Sequence, residues 1–169
     1  MTDETIDDTG SHVLGADEQG IEGKLREAFG RTPLHQLLGF EFVQIEPELV
    51  VVEMPVGDAA FNSSGNLHGG AIATLIDVAA GTAAARNSSF EPGKNTIVTA
   101  DMHVRYLGRA KGQKVRAEAR VLRSGRQLVI VECRVLDDDG RMVASADFAS
   151  MVVPLREPLR GGDRDAPDL

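Results

Sequence analysis

Cysteine occurs once in the 169 residues, as Cys133. A lone thiol cannot close an internal disulfide, so a reducing compartment, the cytoplasm, is expected. No Gly-x-Ser-x-Gly elbow is present, which leaves a serine hydrolase of the α/β type unsupported. Phosphate-binding loops and dinucleotide fingerprints are also missing. His12, His35, His68 and His103 are too scattered for a zinc motif. Neither a metal nor a cofactor is therefore expected, and nucleic acid is not an expected partner. The first residues are acidic and lack the basic and apolar segments of a signal peptide. The most apolar stretch, residues 69–85, is too short and too interrupted by Asp77 to span a membrane.

What remains is the composition of one globular domain, with 42% hydrophobic and 26% charged residues. The net charge of −8 is unevenly placed. Residues 1–20 hold Asp3, Glu4, Asp7, Asp8, Asp17 and Glu18 and no Lys or Arg. Residues 1–20 are therefore read as a disordered acidic tail, residues 21–154 as the domain, and residues 155–169 as a flexible tail. Residues 105–126 carry eight Lys or Arg against one Glu. That block suits either an anionic ligand or solvated outer strand faces.

Ile21, Leu25 and Phe29 share a helical face, and Gly30 would end that helix. Strands follow near residues 40–45 and 49–55, joined by Glu46-Pro47-Glu48. From residue 69 to 85 nearly every side chain is small or apolar, the mark of a buried helix. Beyond Pro92 the period becomes two. Over residues 96–107, Val98, Ala100, Met102, Val104 and Tyr106 are expected on one face, with Thr99, Asp101, His103 and Arg105 on the other. Residues 113–123 turn Val115, Ala117, Ala119 and Val121 inward, and residues 128–136 do so with Val129, Val131, Cys133 and Val135. Cys133 is then an inert core thiol. A last strand covers residues 142–153. Two strands, a buried helix and four strands on short turns predict an α+β fold, one antiparallel sheet wrapped around one central helix. Such a sheet leaves an edge strand and a helix flank that a second copy would cover.

Two features point to chemistry. Gly65, Gly69 and Gly70 bracket the helix start, where unpaired N–H groups and the helix dipole suit a polarised carbonyl. The glycines equally suit a loop that only carries the chain into the core. Asp77 stands in an apolar helix, where a carboxylate either pairs structurally or faces a cleft in which it works. Gly69 and Asp77 lie eight residues apart, ~12 Å along a helix, too far for one carbonyl to touch both. If both act on it, they come from different chains, as in a dimer with two antiparallel central helices.

The run Asn62…Leu67-His68-Gly69-Gly70-Ala71…Ala73-Thr74-Leu75-Ile76-Asp77 resembles the helix signature of the hotdog-fold acyl-CoA thioesterases of the phenylacetyl-CoA type. The resemblance covers residues 30–154. It implies that the Gly69 N–H receives the thioester carbonyl, that Asp77 of the opposite subunit is nucleophile or general base, and that Asn62 and His68 orient the site. It also places Thr99 beside the acid. His68 alone would serve equally as a structural helix cap. Arg109 stands where relatives often carry proline. Arg123 and Arg126 flank the Ser124-Gly125 turn and suit CoA phosphates or plain solvent. The implied assembly is a homodimer or a homotetramer. Two rival readings keep the fold: a non-catalytic acyl-CoA-binding or regulatory domain, and an enoyl-CoA hydratase or dehydratase.

Overall fold

The structure, a computed structural model, describes residues 16–91 and 93–155. The elements run α1 (Ala16–Gly30), α2 (Pro33–Leu38), β1 (Glu41–Ile45), β2 (Val50–Pro55), a 3-10 turn (Asp58–Ala60), α3 (Gly69–Arg86), β3 (Asn95–Tyr106), β4 (Lys114–Ser124), β5 (Leu128–Asp137) and β6 (Met142–Pro154). The six strands form one antiparallel sheet in the order β1-β2-β4-β5-β6-β3. This is the α+β arrangement that the patterning predicts, and the hotdog fold that the resemblance implies. No helix among the described residues is long and apolar enough to cross a membrane.

The core forms where α3 lies on one face of the sheet. Leu75, Ile76, Ala79, Ala80 and Ala84 are wholly buried. They meet Val52 and Met54 of β2, Ala117 and Ala119 of β4, Val131, Cys133 and Val135 of β5, and Phe148 of β6. The alanines leave no bulk between helix and strands, so the backbones approach closely while the larger strand side chains fill the space. The inward sets predicted for β4 and β5 are the buried ones, apart from the half-buried Val121. Burial, chiefly, with Glu118 and Glu132 nearby, pushes the Cys133 thiol up to about 12, so it stays protonated and unreactive.

Three local features depart from the sequence reading. The first helix begins at Ala16, inside the stretch expected to be disordered as far as residue 20; Ala, Glu and Gln there are good helix formers. Residues 1–15 and 156–169, the remainder of the two expected tails, lie outside the described residues. The second is α2, six residues with Pro33 in its first turn and Gly39 closing it in the left-handed region at φ 64°. Both end signals stand in the sequence, but six residues are too few for a helical period to show.

The third is a β-bulge in β3. Thr99 pairs with Ser150 and Asp101 with Ala149, which leaves Ala100 outside the ladder. One extra residue reverses the alternation. Before the bulge Thr99 faces α3, and after it Met102 and Val104 do. The expectation that Thr99 shares the outer face with Asp101, His103 and Arg105 is corrected by this one residue. The outer positions after the bulge hold an Arg105–Asp147 ion pair at 2.8 Å, with His103 beside Arg105.

At the turn after β5, Asp137 is buried. Its Oδ1 accepts from the N–H groups of Asp139 (3.1 Å) and Arg141 (2.9 Å), and its Oδ2 from that of Lys111 (3.1 Å). Burial pushes its pKa up, but these donors and the Arg141 charge outweigh it and hold the carboxyl below the usual range. A depressed folded pKa stabilises the protein above the unfolded carboxylate value, and that contribution is lost as pH falls through the folded one. Asp137→Asn is thus expected to lower Tm clearly at pH 7 and much less at pH 3, as read by thermal melts at both. An equal drop at the two pH values would contradict the account.

Candidate active site

The loop before α3 is built by its own polar groups. Asn62 exchanges backbone bonds with Asn66 and Gly65, and its Oδ1 accepts from the N–H groups of Ser64 (2.9 Å) and Asn66 (3.1 Å). Gly65 takes φ 69°, which side-chain-bearing residues rarely adopt. Asn62 thereby holds the loop through its oxygen, and its amide NH₂ has no partner among the described residues.

His68 is the N-cap of α3. Its N–H donates to the Ala60 carbonyl at 2.7 Å, its carbonyl accepts from Ile72, and its Nδ1 accepts from the Gly70 N–H at 2.8 Å. An accepting Nδ1 leaves the ring proton on Nε2. Of the two roles open to His68, the structure displays the cap. The Gly69 N–H, next in line, has no partner among the described residues and points out of the helix end. A Cβ at Gly69 would stand 3.3 Å from the Tyr106 ring, a tight contact that a side chain there would relieve only by a small shift of the half-exposed tyrosine.

Two turns on, Asp77 is half-buried on the flank of α3 beside the edge strand β3. Its Oδ1 accepts from the Thr99 hydroxyl at 2.7 Å. The bulge at Ala100 is what brings Thr99 to this face. Asp77 and Thr99 open onto a cleft of about 320 Å³ walled by Leu25 and Phe29 of α1, Val78 and Gly81 of α3, and Ile97 of β3. Among the described residues, Asp77 is the only carboxylate lining it, and no Lys or Arg does.

The predicted residues thus fall into two groups within one chain: Asn62, His68 and Gly69 at the helix mouth, and Asp77 with Thr99 further along it. Arg123 and Arg126 join neither. Arg123 pairs across β4–β5 with Ile130 on the outer face, and Arg126 lines a separate cleft with Lys94 and Asn95. Arg109 borders a third cleft of mixed lining with Phe61, Asn66, Leu67 and Ile72, beside the helix mouth. Sequence reasoning missed Tyr106, whose hydroxyl donates to the Gly69 carbonyl at 3.0 Å. Its strand position gave no sign of that contact. No cluster among the described residues is suited to a metal ion.

The fold agrees with what the chain is similar to. The family model of the thioesterase superfamily matches residues 64–144, the span from the glycine loop to β6. Acyl-coenzyme A thioesterase 13 of Mus musculus is 31% identical over 104 residues, 60% of this chain and 71% of that protein. A putative esterase of Deinococcus radiodurans is 30% identical over 131 residues, 78% of this chain and 75% of that one. Among solved structures, a thioesterase family protein from Silicibacter pomeroyi superposes with a TM-score of 0.73 at 27% identity, covering 80% of this chain and all of that one. The chain belongs to the thioesterase superfamily and is a thioester hydrolase of the hotdog fold.

Proposed function

We propose that the chain hydrolyses acyl-CoA thioesters, in the manner of the phenylacetyl-CoA type, at sites each shared by two copies. The thioester carbonyl accepts from the Gly69 N–H of one copy, and the helix dipole stabilises the oxyanion that develops. Asp77 of the other copy, held by Thr99, either takes a proton from the attacking water or attacks the carbonyl carbon itself to form a mixed anhydride. In both routes the C–S bond breaks as the tetrahedral intermediate collapses, and the CoA thiolate leaves to take up a proton. In the mixed-anhydride route water then cleaves the anhydride and frees Asp77.

The observation that carries this reading is that Asp77 bonds Thr99 on the α3 flank beside the β3 edge of the sheet, eight residues from a Gly69 N–H that has no partner among the described residues. Within one helix the two stand ~12 Å apart. A second, antiparallel α3 laid on that side would bring the opposite pair together. The free edge of β3, twelve residues long and paired only with β6 among the described strands, suits the same partner. Arg126, with Lys94 across its cleft, is the candidate contact for CoA phosphates, and Arg123 flanks the same turn. The test is thiol release from a panel of aromatic, short-chain and long-chain acyl-CoAs, with Asp77→Ala as control. Wild-type protein inert toward every acyl group would overturn the reading.

In this reading the acyl group enters the apolar cleft beside Asp77, and Gly81 leaves that cleft open. A Cβ built at Gly81 meets nothing within 4 Å. Gly81→Leu fills the space, and leucine suits a helix better than glycine. Its kcat/KM for long acyl chains is expected to fall by about tenfold or more relative to acetyl-CoA. Parallel loss across all chain lengths would place the acyl group elsewhere.

A further inference from the structure

The first turn of α3 is poorly made for its task. Gly69 and Gly70 stand side by side at the helix start, and glycine, proline apart, is the residue that gains least from the helical state. An N–H that is to stabilise a developing oxyanion must be held in place before the reaction, because its value lies in needing no reorganisation. Something outside the helix must therefore brace this turn.

Two contacts do so, one on either side of the His68–Gly69 peptide. Before it, the His68 N–H is tied to the Ala60 carbonyl at 2.7 Å. After it, the Tyr106 hydroxyl donates to the Gly69 carbonyl at 3.0 Å, and the ring lies against the Gly69 Cα, 3.3 Å from where a Cβ would be. Tyr106 ends β3 and remains 54% exposed. Its contribution to the core is therefore small, and its defined contact is with Gly69. The same strand carries Thr99, which holds Asp77, so β3 braces both halves of the chemistry.

We propose that Tyr106 is a positioning residue for the thioester carbonyl: it acts through Gly69, fixing the direction of the Gly69 N–H. The inference rests on the reading of Gly69 as the donor to that carbonyl. Tyr106→Phe keeps the ring and removes the hydroxyl. It is expected to lower kcat roughly three- to tenfold, the usual weight of one neutral hydrogen bond, with KM changed less than about twofold. The deciding step repeats the substitution in a Gly69→Pro background, where the N–H is gone. There Tyr106→Phe should cost nothing further, since the group it aims no longer exists. The same loss in both backgrounds would overturn the proposal, as would a Tyr106→Phe variant with lowered Tm and unchanged kcat. A Gly69→Pro protein as active as wild type would instead remove the reading of Gly69, and this inference with it.

Discussion

Asp77→Ala is expected to lower kcat on the preferred acyl-CoA by roughly 10²–10⁴-fold, the range over which a positioned general base contributes. The fold should survive. Asp77 is half-buried, its side-chain bond among the described residues is to Thr99, and the freed hydroxyl can turn to water in the open cleft. Asp77→Asn keeps the shape and a hydrogen-bond partner for Thr99 but can neither take a proton nor attack as a carboxylate. It should be as inactive as the alanine variant, with an unchanged melting temperature. A retained kcat in either variant would remove the carboxylate from the chemistry and leave Asp77 as a structural partner of Thr99.

Gly69→Pro is expected to lower kcat by about 10²–10³-fold, the cost of removing one oxyanion donor. Proline is tolerated at the first position of a helix, where its missing N–H has no intrahelical partner. It also requires the preceding residue to be extended, and His68 already is, at φ −70° and ψ 133°. The substitution therefore deletes the donor with little change of backbone. What it adds is bulk against Tyr106. Gly69→Ala adds the Cβ that meets Tyr106 and keeps the N–H, so the ratio of kcat between the two variants separates the loss of the donor from that contact. Equal activities would mean that steric crowding, not the N–H, accounts for the loss.

The strand faces of β4 and β5 and the buried helix were legible because their side chains keep one period over ten residues or more. Asp77 was legible for the opposite reason, as a carboxylate that breaks an apolar pattern. The axial spacing from Gly69 turned that anomaly into an expectation about assembly. The bulge at Ala100 was hidden, because Val98, Ala100 and Met102 continue the alternation in sequence while the ladder skips a residue. It decides the geometry of the proposed site, since it turns Thr99 toward Asp77. The braces of the first α3 turn, Ala60 and Tyr106, reach His68 and Gly69 from elsewhere in the chain. Contacts that join a backbone carbonyl or a strand end to a distant helix start leave no mark on residue type. Asn62 was read as orienting the site; in the fold its Oδ1 shapes the loop that leads into His68, a local role that the sequence does not display.

The central claim is that each site takes Gly69 from one copy and Asp77 from another, and mixed dimers test it most directly. Asp77→Ala and Gly69→Pro chains, each carrying a different tag, are co-expressed and the doubly tagged species is isolated. Each parent homodimer carries one lesion in both of its sites. In the mixed dimer one site receives both lesions and the other receives none. The account predicts that the mixed dimer recovers about half the wild-type turnover per dimer, one of two symmetric sites being intact. A mixed dimer as inactive as its parents, or a wild-type monomer that turns over substrate, would contradict it.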